Sequence, residues 1–228
     1  MSGTLYIVST PIGNLKDITS RSLEVLENVD LIAAEDTRIT KRLLNHFDIK
    51  NNFISYNDYN ENKKYQYLLD VLKDNKNVAI VSDAGTPCIS DPGYRIVNAA
   101  NLLGFPVVTI PGPSSAIAAL SISGLPSDSF YFEGFLPKKK GRTKRLNYLK
   151  DLDCTVIIFE SPKRLLKTLN DILSVLGNRV VSLCKELTKL HETVKLDYLS
   201  NIIKAIDSEV IKGEYVLLIA KEKYSIDE

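Results

Sequence analysis

Short, unbroken apolar runs separated by amphipathic stretches constrain this chain more than any other feature. Val78–Val81 reads VAIV, with no polar residue to turn toward water. Such a run belongs to a strand covered on both faces, the condition of a parallel sheet wrapped by helices. Leu5–Ser9, Leu31–Ala34, Phe53–Tyr56 and Val107–Ile110 are the other strands expected in the first half. Between them the apolar residues recur at helical spacing. Ile18–Val29 turns Leu23, Leu26 and Val29 inward, and a helix capped at Asp36 or Thr37 carries Ile39, Leu43 and Phe47 on one face. Asn60 stands at the cap of a helix with Tyr65, Leu68, Leu69 and Leu72 at i, i+3, i+4 and i+7, and Tyr94–Leu103 stops at Gly104, a C′ glycine. This β-α-β-α order predicts an α/β fold with a five-stranded, mainly parallel sheet and helices on both faces.

The second half alternates as well. Ser115–Ser123 reads as a small-residue helix, and Phe130–Phe132, Thr155–Phe159, Val180–Leu183 and Val216–Ile219 read as strands. Leu165, Leu166, Leu169, Ile172, Leu173 and Leu176 mark one helix; Leu199, Ile202, Ile203 and Ile206 mark another. Pro111-Gly112-Pro113 interrupts regular structure between the halves, which gives two α/β domains, 1–112 and 113–228.

Composition excludes several functional classes. The 29 basic and 28 acidic residues leave a net charge of +1, so nucleic-acid binding requires a local patch. No apolar run reaches the roughly 20 residues of a membrane helix, and the apolar stretch at the start has no basic segment before it, which argues against a signal peptide. Cys88, Cys154 and Cys184 are scattered and odd in number, which fits a reducing cytoplasm rather than a disulfide framework. His46 and His191 are the only histidines, and no Cys/His spacing suits zinc, so no metal is expected.

Four loops are longer and odder than α/β connections usually are. They are Thr10–Leu15 (TPIGNL), Glu35–Arg38 (EDTR), Ser82–Gly93 (SDAGTPCISDPG) and Pro111–Ser115 (PGPSS). Each follows the carboxyl end of a strand, and in a parallel sheet those ends share the edge where ligands bind. Glycines allow close backbone approach, prolines stiffen it, and Asp83 and Asp91 supply acceptors. Neither GxxxxGK[ST] nor GxGxxG is present, so the ligand is not a nucleoside triphosphate or dinucleotide held in those ways. The loops suit a ligand with hydroxyls, an amine, a ring edge and a positive centre.

Further along, Lys138–Arg145 carries six positive charges and no acid, on a loop leading into a helix. By itself the segment reads as a solvated helix start; cations at a helix N-terminus oppose its dipole, a local conflict that favours contact with a phosphate backbone. Ser161-Pro162 reads equally well as an N-cap with Pro at N1. His191 is a surface or packing residue by default, and Cys88 has no histidine near it in sequence to activate it.

TPIGNLKDIT, LIAAEDTR, VSDAGTPCISDPG, PGPSSAI, FEGFLPKKKGR, ESPKRLL, CKELTKLHET and KGEYVL follow one another in that order. Together they resemble the bacterial 16S ribosomal RNA cytidine 2′-O-methyltransferases, a branch of the tetrapyrrole (precorrin) methylase superfamily. The resemblance runs from Leu5 to about Ala220. It implies S-adenosylmethionine (SAM) in a cleft between two α/β domains, the second with a mixed sheet, in a cytoplasmic homodimer that methylates 16S rRNA of the 30S subunit. By that resemblance Pro11, Ile12, Asp83, Ala84, Gly85, Thr86, Ile89, Ser114 and Ser115 contact SAM, joined by Glu160, Ser161, Leu187 and Glu214. Glu35 and Asp36, then Lys185 and Glu186, are the candidate bases for the ribose hydroxyl. Arg38, Lys138, Lys139, Lys140, Arg142, Lys144 and Arg145 are the candidate RNA contacts. The chain departs from relatives at Lys163, where they often have histidine, and in ending about ten residues after the last strand. A small-molecule tetrapyrrole-type methylase and a non-catalytic SAM- or RNA-binding module are the alternatives; no G-x-S-x-G or H-E-x-x-H supports a hydrolase.

Overall fold

The computed structural model describes residues 2–207 and 210–226. The chain divides into two compact units, Met1–Ser114 and Ser115–Glu228. The first holds strands β1 (Leu5–Val8), β2 (Leu31–Ala34), β3 (Phe53–Ser55), β4 (Val78–Val81) and β5 (Val107–Ile110). All pair in parallel, in the order β3-β2-β4-β1-β5. Alternation along each strand feeds two cores. Leu5, Leu31, Ala33, Val78 and Ile80 pack on one face with helices α3 (Glu61–Lys73) and α4 (Tyr94–Leu102). Val8, Ile32, Ala34, Ala79 and Val81 pack on the other with α1 (Ser20–Asn28) and α2 (Thr37–His46). The inner strands β2 (LIAA) and β4 (VAIV) are buried along their whole length and lack polar residues because neither face meets water.

The helix boundaries follow local chemistry. The Thr19 hydroxyl accepts the Ser22 amide at the start of α1, and Asp36 accepts the Arg38 amide at 2.8 Å at the start of α2. Asn60 occupies the cap of α3, but its side chain makes no cap bond; it accepts the Asn57 amide and donates to Ser55. The connection from β1 runs over the α1 face and that from β4 over the α4 face. β1 and β4 are neighbours, and the helices that follow them lie on opposite faces of the sheet, the arrangement that places a ligand site at the carboxyl edge.

The second unit contains α5 (Ser115–Ile122), β6 (Phe130–Phe135), α6 (Arg142–Lys150), β7 (Thr155–Glu160), α7 (Pro162–Leu176), β8 (Val180–Lys185), β9 (Thr193–Tyr198), α8 (Leu199–Asp207) and β10 (Tyr215–Ile219). Its sheet order is β6-β7-β10-β8-β9, with only β6 and β7 parallel. Leu165, Leu169, Ile172 and Leu176 of α7 and Leu199, Ile202 and Ile206 of α8 pack on Val156, Ile158, Leu217 and Ile219.

Three differences from the sequence reading matter. β9 was not expected: TVKLDY has no apolar run, and it is an edge strand created by pairing with β8. β6 extends to Phe135 through a bulge at Glu133, between the Phe132 and Gly134 register positions. β7 runs one residue and β8 two residues further than read, so Glu160 and Lys185 are strand residues directly opposite Tyr215.

Candidate functional site

In the first unit the loops after β1, β4 and β5 are stitched together. Thr10 and Gly85 exchange both backbone hydrogen bonds, at 2.9 and 3.0 Å. The Thr10 hydroxyl donates to the Ser82 carbonyl at 3.1 Å. Ser9 and Thr86 share a 3.0 Å hydroxyl contact, and Thr86 donates to the Pro113 carbonyl at 3.1 Å. Gly112 lies against Ser9: a Cβ there would stand 2.9 Å from the Ser9 Cβ, so the PGP backbone approaches β1 only because it lacks one. Ile12 is buried, Pro11, Asp83 and Thr86 are partly buried, and Ala84 and Ile89 are exposed. Cys88 and Ser90 have φ of 70° and 64°, left-handed conformations that cost non-glycine residues about 1–2 kcal/mol each. Such strain concentrates where a loop has a task beyond closing the chain.

The EDTR loop joins this edge through carboxylates. Glu35 Oε2 accepts the Asp83 amide at 3.1 Å, and Asp83 Oδ1 accepts the Asp36 amide at 3.0 Å. Burial pushes the Glu35 carboxyl up, against the Asp83 amide, and neighbouring Asp83, Asp58 and Asp36 add repulsion. Asp83 is raised by burial too. Asp91 is pushed up to about 6 by burial first and then by repulsion from Glu35. Asp36 is the opposite case: hydrogen bonds from Arg38 hold it at about 2. Arg38 itself is exposed and folded back on Asp36. Glu61, at the start of α3, accepts the Gly93 amide and the Tyr56 hydroxyl, each at 3.1 Å, and pins the far end of the Ser82–Gly93 loop.

In the second unit Glu160 is buried, with side-chain exposure of 0%. It accepts from the Thr168 hydroxyl at 2.6 Å and the Ser161 amide at 2.8 Å, and Arg164 stands 3.3 Å away. Ser161 caps α7 by position, with Pro162 at N1 and no side-chain cap bond. The Lys185–Glu186–Leu187–Thr188 turn is held by Glu186. Its carboxylate accepts the Glu214 amide at 2.9 Å and Lys189 Nζ at 3.0 Å, and Lys189 also reaches Glu214 at 2.8 Å. A Cβ on Gly213 would meet the Glu186 side chain at 2.7 Å. Glu186 and Thr188 have φ of 53° and 66° and flank the buried Leu187. The Glu214 amide above all holds the Glu186 carboxyl down. Lys185 Nζ lies over the Tyr215 ring, 5.9 Å from its centre.

The basic segment splits in two. Lys138, Lys139, Lys140 and Lys144 are exposed. Arg142 turns inward, 7% exposed, and donates to Asp171 at 2.7 Å, Thr168 at 2.8 Å and the Pro137 carbonyl at 3.0 Å. Arg145 is clamped on Glu133 at 2.7 Å and lies over the Tyr148 ring. Arg142 thus spends its donors inside the unit and Arg145 is held by Glu133 with about a third of its side chain exposed, while the four lysines face solvent.

The profile of the tetrapyrrole (corrin/porphyrin) methylases matches residues 4–203. The chain belongs to the tetrapyrrole methylase family. Within it, proteins named ribosomal RNA small subunit methyltransferase I are close relatives. The one from Escherichia coli O157:H7 is 50% identical over 97% of this chain and 79% of its own length. That from Halalkalibacterium halodurans is 49% identical over 95% of this chain and 75% of its own. That from Thermotoga maritima is 46% identical, and the match covers 96% of this chain and 98% of the relative, so a family member of nearly this length exists. Among solved structures, diphthine synthase superposes with a TM-score of 0.75 at 15% identity, covering 98% of this chain and 92% of that one. A uroporphyrin-III-C-methyltransferase from Thermus thermophilus gives 0.64 at 18%, covering 96% and 95%. At these identities the likeness speaks for the methylase fold alone.

The sequence placed these loops along the carboxyl edge and marked Asp83 and Asp91 as acceptors, but nothing local marked Asp58 or Glu61, which packing brings beside them. Among the described residues no group of three or more His, Cys, Asp and Glu side chains is placed to hold a metal ion, and no helix is long and apolar enough to cross a membrane.

Proposed function

We propose that this chain transfers a methyl group from SAM to the ribose 2′-hydroxyl of a cytidine in 16S rRNA of the small ribosomal subunit. The observation that carries this reading is near-half identity, over almost the whole chain, to proteins named ribosomal RNA small subunit methyltransferase I. The residues of the first unit's edge fit SAM. Arg38 is the only basic residue in the four loops, which suits a ligand without phosphate. The half-buried carboxylates of Glu35, Asp83 and Asp91 favour an ammonium and a sulfonium. The backbone of Pro111–Gly112 is exposed, and Ile12 and Thr86 stand beside it through the Gly85 and Pro113 contacts. In the second unit Glu160, Ser161, Leu187 and Glu214 belong to the same reading, with Ser114 and Ser115 at the junction. SAM supplies an electrophilic methyl on sulfur.

The chain's own contribution is to hold the ribose oxygen in line, with reacting atoms about 3–3.5 Å apart, and to take its proton. Glu35 suits the proton best, because burial raises its carboxyl toward neutral pH. Asp36 and Glu186 are poorer bases, since Arg38 and the Glu214 amide hold each carboxylate in its charged form. Lys185 remains beside Tyr215 as a second candidate. Lys138, Lys139, Lys140 and Lys144 meet RNA phosphate. The reading includes a homodimer in the cytoplasm, both carried by the family resemblance; equilibrium sedimentation checks the first. The deciding experiment is transfer of labelled methyl from SAM to 30S subunits lacking this modification, followed by nuclease mapping. Label on a ribose 2′-oxygen of 16S rRNA is expected. Tight SAM binding without label would refute the substrate and keep the fold.

A further inference from the structure

A cavity of about 430 Å³ lies between the start of α6 and the outer face of α7, lined by Lys138, Lys139, Arg142, Thr143, Lys167 and Asp171 among others. Four cations face one carboxylate there, and that carboxylate is already bonded by Arg142 and Lys167. The walls are fixed from below. Arg142 holds the Pro137 carbonyl and its amide holds the Lys139 carbonyl at 3.2 Å, while Arg164 holds the Leu136 carbonyl at 2.7 Å. The lysine loop is thus clamped at both ends although its side chains are exposed. α6 opens with no acidic residue in its first turn and no side-chain cap. Among the described residues, none accepts from the Thr143 or Lys144 amide. Cations converging on one cavity repel one another until an anion joins them. Lys167, on α7, was not part of the basic segment in sequence; only packing brings it to the cavity. Its exposed pair with Asp171 is of a kind worth little, so it is free to re-pair.

We propose that this cavity is a binding site for a single RNA backbone phosphate, held by Lys138, Lys139 and Lys167. The inference rests on the rRNA methylation reading and adds to it a defined contact with a member outside the basic run. A phosphodiester is the ligand class; inorganic phosphate shares its chemistry and is the competing source.

The test uses the full chain and a short fluorescently labelled RNA, with binding followed by anisotropy across a salt series. Lys139→Gln and Lys167→Gln are each expected to lower the slope of log K against log salt by roughly 0.7–0.9, the value for one lost phosphate contact. The double variant is expected to lower it no further, because both lysines serve one phosphate. Circular dichroism confirms that each variant is folded. Parental binding by Lys167→Gln overturns the proposal, as do slope losses that add in the double variant. Inorganic phosphate at constant ionic strength is the second arm. Phosphate binding that vanishes in Lys167→Gln while RNA binding stays parental assigns the cavity to a free anion and also overturns it. Methyl transfer to 30S subunits is measured in parallel. An active parent with an unaffected Lys167→Gln sinks the cavity alone, whereas an inactive parent with the expected slope losses sinks the methylation reading and leaves the phosphate site.

Discussion

Arg142 offers the sharpest perturbation in the molecule, because sequence reads it as one of six surface cations and the structure makes it a buried linchpin. In Arg142→Met the guanidinium loses hydrogen bonds to Asp171, Thr168 and the Pro137 carbonyl. Breaking a buried charge pair by removing one partner costs about 3–5 kcal/mol. Three features place this case at the low end. Asp171 keeps Lys167 at 3.0 Å and its side chain is 28% exposed, so its charge is not stranded. The Thr168 hydroxyl keeps its bond to Glu160. Methionine fills most of the vacated volume and removes the desolvation penalty of the guanidinium itself. What remains is an orphaned Pro137 carbonyl and a loosened lysine loop, about 3 kcal/mol in all. For a unit the size of Ser115–Glu228 that lowers its melting temperature by roughly 12 °C. The chain has no tryptophan, so unfolding in urea is followed by tyrosine fluorescence and circular dichroism, with separate transitions allowed for the two units. Lys144→Met, two residues away and exposed, is expected to stay within about 0.5 kcal/mol of the parent. An Arg142→Met protein that melts with the parent but loses RNA affinity as the lysine variants do would refute the reasoning.

Three further outcomes are expected. Glu35→Gln should lower single-turnover methyl transfer by about 10²–10⁴-fold, the usual worth of a general base, while Asp36→Asn keeps its rate and loses only part of a helix cap; equal rates in both variants would remove Glu35 from the role. Asp91 is raised from an ordinary carboxyl to about 6, so its contribution to stability is full below about pH 4 and is lost as the pH rises through about 6. Asp91→Asn should therefore gain on the parent by about 1 kcal/mol between those limits, a value already reduced because solvent reaches part of the side chain; urea midpoints that run parallel across that range would contradict it. Gly213→Ala combines a left-handed φ of 88° with a 2.7 Å approach to Glu186 and should cost about 1–2 kcal/mol or more, read as a lower urea midpoint with an unchanged slope.

The first unit was legible in sequence because its signals are local. VAIV and LIAA lack polar residues wherever the sheet is covered twice, Thr19 and Asp36 cap the helices that follow them, and the odd composition of SDAGTPCISDPG marks a ligand edge without any knowledge of what lies opposite. The motif order named the family, and the relatives agree with it. The second unit was less legible where partners are distant in the chain. β9 is polar enough to pass for a loop, and becomes a strand because the edge of β8 offers it hydrogen bonds.

The same distinction governs the site. Sequence by itself determined which loops stand at the strand ends of the first unit, since apolar runs and turn chemistry are properties of neighbours. Only the tertiary structure decided what each residue does there. Asp36 and Asp91 are the same side chain, yet one is held at about 2 by Arg38 and the other raised to about 6 by burial beside Glu35. Arg142 and Lys144 belong to one basic run, yet one is drawn onto Asp171 and the other faces water. Charge, protonation and exposure depend on fields and solvent access summed over residues far apart in the chain, and those sums do not exist until the chain has folded.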